Sequence, residues 1–549
     1  MPLLVISLII DCWTALFGTT AAHSERTERI PPKKKLWKQG DGYGSMPFGI
    51  KRPKKQFHIL PYDEETKNFA CFAKPGQGKT VYFDTIISTT FCLQYLTGRA
   101  CALIYDVKGE TEVLLKNHGI TPVLLNPLVK GSVGIKFANF VKNPIDAERL
   151  ALMFCRTSKH EIAGSESRYW IETSVNLLKL LIMALVVRVS NRVTSGFTMR
   201  DVLCAIDLTL NPSSTEFKSF ISVLKKEEQE FIITTLSDER HGKNHLQSLL
   251  SIKEDWKIVA ALDAQKDKRV GIDDWTGAWV IGFDQTAENL ITPFNQFICD
   301  QLFDHLIMLE NSPEERISAR GIDATYIFLD EALSVLPPKL EELLRVSRSK
   351  GVRVFATFLN LGILQDVLGE KRASALLSYF RSIAVMGVTP EDAAYLSEKI
   401  IGYETVVYTT PIIANRYHYD VTEEQWLTGE EQVVSRIVSE REIQLPNHRL
   451  TWKERIVTGT KREERLEPIV KAEELSQIAP PDKDGAEVFF YRPSELAQKK
   501  KMNINMLKKV APLVFKKTKY KPSPPIDKSD LKNFEIDPWS EEERNALGM

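Results

Sequence analysis

The sequence predicts an α/β fold built on a mostly parallel sheet and interrupted by an all-helical insertion. Three observations carry that expectation. Residues Asn68 to Phe83, NFACFAKPGQGKTVYF, run from a short apolar strand through a glycine-containing turn into a helix start. Short apolar runs then alternate with helical patterns, which implies βαβ crossovers and parallel strands. A later apolar strand, Thr325 to Leu329, ends in Asp330-Glu331.

The first stretch matches the phosphate-loop pattern G-x-x-x-x-G-K-[ST] over Ala73 to Thr80, with Ala73 in place of the first glycine. Such a loop curls backbone N–H groups round a polyphosphate, and Gly76 and Gly78 permit this by tolerating positive φ above a helix N-terminus. Ala73, Gly76, Gln77, Gly78, Lys79 and Thr80 are therefore the candidate nucleotide-binding residues. Lys79 would reach the β- and γ-phosphates of ATP and Thr80 would ligate Mg²⁺. A structural loop of similar composition is the competing reading, but G-x-G-K-T directly after Ala70-Cys71-Phe72 is far more specific than a lone G-x-G. Asp330 would hold Mg²⁺ through its water shell, and Glu331 would polarise an attacking water. An acidic pair after a strand is weak by itself and strong together with Lys79-Thr80.

Between these motifs, Val81 to Leu96 has a helix pattern. Ala102 to Tyr105 is a buried-strand run ending in Asp106-Val107-Lys108-Gly109-Glu110, an acidic turn where ligands bind in open α/β sheets. Pro122 to Pro127 gives a short strand and turn, and Ile145 to Phe154 is helical. From Ser165 to Ala264 only helical spacing occurs, in Tyr169 to Val187, Thr198 to Ile206, Thr215 to Lys226, Glu227 to Leu236 and His245 to Leu262. The leucine-rich run at 177–187 is too short for a membrane span and reads as a core helix. Strand character returns at Ala278 to Phe283, Arg353 to Phe358 and Ile383 to Met386, with a helix from Gly362 to Tyr379. Arg381 just before the last strand, and Arg345, Arg348 and Arg353 round the other, are candidates for an arginine finger or for ordinary salt bridges. Beyond Pro390, Tyr403 to Tyr408 and Glu487 to Tyr491 read as strands and Lys471 to Ile478 as a helix. Lys499 to Lys521 is strongly basic, and the chain closes acidic after a Pro-rich stretch, which reads either as a mobile tail for DNA or a partner or as plain disorder.

Composition sets the frame. At 549 residues, two or three domains are expected, and 43% apolar with 26% charged residues fits a folded chain. Lys plus Arg equals Asp plus Glu at 72 each, so any nucleic-acid surface must be local. Seven scattered cysteines form no C-x-x-C pair and read as reduced core residues. Pro2 to Ala22 is apolar and long enough for one bilayer-spanning helix, although Asp11 costs about 2.5–3.5 kcal/mol on insertion scales. Arg26, Arg29, Lys33, Lys34, Lys35 and Lys38 follow it, which orients the body to the cytoplasm. A cleaved signal peptide and an ordinary apolar segment are the alternatives. The expected organisation is an anchor at 1–22, a basic juxtamembrane linker at 23–67, an α/β domain at 68–164 and 265–497, the helical domain at 165–264, and a basic then acidic tail at 498–549.

These motifs resemble type IV secretion coupling proteins of the TrwB/TraD kind. The carriers are AKPGQGKT at 73–80, YDVKGE at 105–110, LLNP at 124–127, YIFLDEA at 326–332, the segment at 340–369 and YFRSIAVMG at 379–387. The resemblance implies a RecA-like P-loop NTPase that assembles as a homo-hexamer at the bacterial inner membrane and couples ATP hydrolysis, with Mg²⁺, to delivering relaxase-bound DNA into the secretion channel. It assigns Lys79, Thr80, Asp330 and Glu331 to nucleotide and metal, and Arg381 to the finger. Two departures stand out: the family's glutamine after the Asp-Glu strand is Leu359-Asn360 here, and its usual two membrane helices are at most one. The alternatives are a soluble HerA/FtsK-like DNA translocase or helicase, and an ATP-binding recruitment platform of low turnover.

Overall fold

The computed structural model describes residues 50–51, 56–57 and 66–549 apart from 97, 156–164, 192–195, 239, 283, 285–286, 422–433, 439–447, 494–495, 517, 519, 527–535 and 548. The expected membrane anchor at 1–22 lies outside the described residues. The chain forms two compact units, one running to Ala393 and resuming at Glu473, the other Ala394–Ala472.

A nine-stranded sheet organises the larger unit. Its strands are β1 (Phe69–Phe72), β2 (Ala100–Asp106), β3 (Val123–Leu124), β4 (Ala278–Gly282), β5 (Ala324–Leu329), β6 (Val352–Phe358), β7 (Ser382–Val385), β8 (Gly485–Arg492) and β9 (Leu496–Asn503). They are ordered β9-β8-β7-β1-β6-β5-β2-β4-β3. From β7 to β3 every pairing is parallel, and β8 and β9 extend the sheet antiparallel. Apart from the half-buried edge strand β3, the parallel strands are buried on both faces, and so they read as continuous apolar runs. Alternate residues, such as Ala102 and Ile104 of β2 and Tyr326 and Phe328 of β5, share one core cluster. That cluster includes Tyr82, Phe83, Ile86 and Ile87 from α1 (Lys79–Thr89) and Leu114 and Leu115 from α2 (Glu110–Asn117). The Tyr326, Phe328 and Phe355 rings stack side by side there, each such buried side chain worth about 1.5–3 kcal/mol.

Register sets the functional edge. Leu329 pairs with Tyr105 on one side and Ala356 on the other, and Ala356 pairs with Ala70. The carboxyl ends of β1, β2, β5 and β6 therefore meet, bringing the phosphate loop, Asp106, Asp330 and Thr357 to one edge.

Between Ser165 and Ala264 the described residues form helices only: α3 (Ser165–Ser190), α4 (Met199–Leu208), α5 (Thr215–Ile221), α6 (Lys226–Ser237) and α7 (Gly242–Ala264). A capping box between Thr198 and Asp201 starts α4. Helix α3 is longer than the sequence suggested, and Glu172–Ser190 is long and apolar enough to cross a membrane. Burial rather than length decides its role: Leu177, Leu178, Leu181, Ile182, Ala184 and Leu185 are each at most 1% exposed inside the protein.

Three expectations change in the C-terminal half. The helix expected over 362–379 is two, Leu361–Leu368 and Glu370–Ser378, divided at Gly369 with φ +79°. The basic run at 499–501 lies on β9, the sheet's last strand, where lysines discourage further edge pairing. The smaller unit, expected to show one short strand, is a long ladder of Tyr403–Val421 against His448–Pro468, with Val434–Val438 on the other side of Asn415–Tyr419. Among the described residues Pro411 pairs on one flank only, with Thr460, so its missing N–H is tolerated in the ladder.

Candidate active site

The phosphate loop hangs between two strands. The Ala73 N–H donates to the Phe358 carbonyl (3.1 Å) and the Lys74 N–H to the Gly387 carbonyl (2.9 Å). Gly76 and Gly78 stand at φ +82° and +83°, the left-handed region where a side chain is strained. Ala73 is not in that region, which explains why alanine serves where the pattern has its first glycine. Gly78 caps α1 with no side-chain hydrogen bond, so the first-turn N–H groups face the loop. Gly76 is exposed, whereas a side chain at Gly78 would crowd Pro481 at 3.3 Å. This cradle fits an anion at a helix N-terminus.

Lys79 joins the two motifs. Its Nζ lies 2.9 Å from Asp330 Oδ1 and 3.3 Å from Glu331 Oε1, with Lys79 and Asp330 buried. Glu331 sits at φ +56°, one of only two non-glycine residues in the left-handed region among the described residues, and a position of stored strain. Thr357 holds the pair from β6: its hydroxyl donates to Asp330 Oδ1 (3.0 Å) and accepts from the Glu331 N–H (2.8 Å). Sequence reading missed Thr357, because a threonine inside an apolar strand carries no motif. Thr357→Val is expected to cost about 1–3 kcal/mol of stability by leaving the Glu331 N–H without its acceptor while Asp330 keeps Lys79, with Thr357→Ser restoring most of it. Denaturant midpoints of the two variants check this.

The turn after β2 supplies another missed residue. Lys108 Nζ donates to Thr80 Oγ1 at 2.9 Å. Asp106 shapes that turn by accepting from the N–H groups of Lys108 (3.0 Å), Gly109 (2.9 Å) and Thr111 (2.8 Å). Burial raises the Asp106 carboxyl above its ordinary range against the pull of those donors. Burial, with Asp106, Glu110 and Asp330 nearby, holds the Asp84 carboxyl well above its ordinary range. Acidic groups thus gather beside Thr80 and Asp330. No cluster of three His, Cys, Asp or Glu side chains among the described residues is placed to hold a metal alone. That donor set suits Mg²⁺, which takes one or two protein ligands and completes its shell with phosphate and water.

Residues 59–454 match the family model of the type IV secretion-system coupling protein DNA-binding domain. The chain belongs to the type IV secretion coupling proteins. No curated protein matches this coupling protein in sequence. Solved structures of TrwB share its fold. The unbound monoclinic form of the bacterial conjugative coupling protein TrwBΔN70 is 16% identical with a TM-score of 0.52, covering 81% of this chain and 87% of that one. The TrwB complex with the non-hydrolysable ATP analogue ADPNP is 16% identical at 0.51, covering 87% and 93%. The complex with ADP and Mg²⁺ is 16% identical at 0.52, covering 91% and 95%. The RecA-like P-loop architecture expected from the motifs is thus the fold observed. Family membership also places the coupling protein among membrane-associated proteins.

The remaining candidates sort by position. Gln77 is buried in the loop beside Gly387. Arg381 precedes β7 and pairs through its backbone N–H with the Lys67 carbonyl, at the amino-terminal edge of the sheet. At about 3.3 Å per residue, Arg381 stands roughly 16 Å along β1 from the loop of its own chain. Arg353 is buried under the Tyr326 ring at 5.4 Å and donates to the Gly351 carbonyl (2.7 Å), which makes it a core residue. Arg345 and Arg348 are exposed. Asn360, in the family's glutamine region, is an exposed cap that accepts from the Ile363 N–H (3.4 Å). The coupling protein's tail is docked rather than loose where described. Ser523 donates through its N–H and hydroxyl to Glu112 (2.7 and 2.6 Å), roofing a cavity of about 1160 Å³ beside Lys108.

Proposed function

We propose that this coupling protein hydrolyses ATP to drive relaxase-bound DNA into a type IV secretion channel, working as a homo-hexamer at the bacterial inner membrane. The observation that carries the reading is Lys79 held between Asp330 and Glu331 beneath the uncapped N-terminus of α1. TrwB has been solved with ADPNP and with ADP and Mg²⁺, and carrying those ligands to this chain is part of the proposal.

In this reading the N–H groups round Gly76, Gln77 and Gly78 bind phosphate oxygens, and Lys79 exchanges its carboxylate partners for the phosphates. Release of Lys79 frees Glu331 to orient and deprotonate water. Thr80 and Asp330 would hold Mg²⁺, which offsets phosphate charge when bound. Lys108 must then leave the Thr80 hydroxyl. Arg381, far from its own loop, would act on a neighbouring copy's nucleotide as the finger.

The deciding experiment measures ATP hydrolysis by the detergent-purified protein with and without single- and double-stranded DNA. Hydrolysis is expected to rise with DNA, and DNA affinity to fall steeply with salt as phosphate contacts release counterions. Equal hydrolysis with and without DNA would sink the motor reading, and little turnover in either case would favour a recruitment platform.

A further inference from the structure

The acidic end of the chain is seated on the helical insertion by side chains that read it as a peptide. Arg200 at the start of α4 donates to the Asp537 carbonyl (2.8 Å), the Pro538 carbonyl (3.0 Å) and both Glu543 carboxylate oxygens (2.7 and 2.9 Å). Next to it, Asp201 accepts from the Trp539 indole N–H (2.7 Å), and the Trp539 ring lies 6.0 Å from that of Phe220 on α5. Arg188 near the end of α3 donates to the Leu547 carbonyl and to the carbonyls of Ser219 (2.8 Å) and Phe220 (2.9 Å). Arg544 pairs with Glu216 (2.9 Å). Trp539 and Leu547 are 5% and 6% exposed, although the acidic side chains round them face solvent.

The spacing has a meaning. Trp539 just before the N-cap Ser540, Glu543 within the short helix and Leu547 at its C-cap anchor one capped turn in the groove. The helix itself, Glu541–Ala546, is too short to persist in water, so its contacts with the groove stabilise it. The Arg200 guanidinium also holds the Glu543 carboxyl down to about 2, as a charge-matched pair does. Asp201 accepts the indole with one oxygen while its other caps α4 at Thr198, so the groove's main polar acceptor is rigid.

We propose that this face of the helical insertion is a recognition site for short acidic helices of pattern Trp-x3-Glu-x3-Leu. The chain's own residues 537–547 are its resident occupant, and a client protein's segment of that pattern is its competitor. Tethering gives the resident a high effective concentration, so a client must bind tightly or arrive in several copies. The site is separate from the nucleotide loop, and the inference stands or falls independently of ATP hydrolysis.

The test uses a fluorescein-labelled peptide of residues 536–549 and the full chain opened by Trp539→Ala with Leu547→Ala. Saturable binding to the opened chain is expected, at least 10-fold tighter than to the unaltered chain, whose groove is filled. On the same opened chain, peptides carrying Trp539→Ala or Glu543→Gln should bind at least 10-fold more weakly. Gln retains the capping box with Ser540, so its effect reports the Arg200 contact rather than the helix. Absent binding to the opened chain, equal binding to both chains, or indifference to either peptide change overturns the proposal. Because the protein is the same in the peptide comparison, misfolding cannot imitate the expected result.

Discussion

Lys79→Ala is expected to abolish ATP hydrolysis and, in the same step, to destabilise the free protein. The Lys79 ammonium lies within 3.3 Å of two carboxylates, and its side chain and that of Asp330 are 6% and 8% exposed. Removing the cation leaves Asp330 buried with no opposite charge and Glu331 beside it with like charge. Breaking a buried pair from one side costs about 3–5 kcal/mol. Adding Asp330→Asn to Lys79→Ala should return much of that stability, since the stranded charge is gone, while hydrolysis stays absent. Denaturant midpoints and turnover on the three proteins separate the two roles. If Lys79→Ala keeps normal turnover, the loop is not the hydrolytic site.

Glu331→Gln should separate binding from chemistry. Gln keeps the side chain's size and the backbone N–H to Thr357, and it leaves Lys79 paired with Asp330. What is lost is the carboxylate that would take a proton from water, and general-base removal typically costs about 100- to 10,000-fold. Nucleotide affinity is expected to stay within a few-fold, measured with a fluorescent ATP analogue. Turnover that survives the substitution would assign the base elsewhere. Glu331 stands in the left-handed region, its N–H held by the Thr357 hydroxyl and its carboxylate 3.3 Å from Lys79 Nζ.

Legibility followed locality. The sequence AKPGQGKT carries its own geometry, since two glycines at positive φ and a helix start fall within eight residues. Asp330-Glu331 was legible because a doubly covered strand is apolar throughout and its first charges mark its end. By contrast, the Trp539 anchor lay in a segment whose charge suggested solvent, and its partner Asp201 stands in a different part of the chain. The long ladder of the smaller unit runs past Tyr408 through Pro411, which a strand tolerates only where its N–H flank is unpaired, and pairing alone decides that.

The amino-acid sequence by itself determined the α/β class, the phosphate-loop residues Gly76, Gly78, Lys79 and Thr80, and the acidic pair at 330–331. Each depends on neighbours within one turn or one strand. Tertiary structure alone decided that Thr357 holds Asp330 and Glu331, that Lys108 reaches Thr80, that Arg353 is core, and that the acidic end fills a groove on the helices. Those contacts join residues 26 to 359 positions apart. They are set by sheet register and by the path of the tail, which leave no period or motif in the chain.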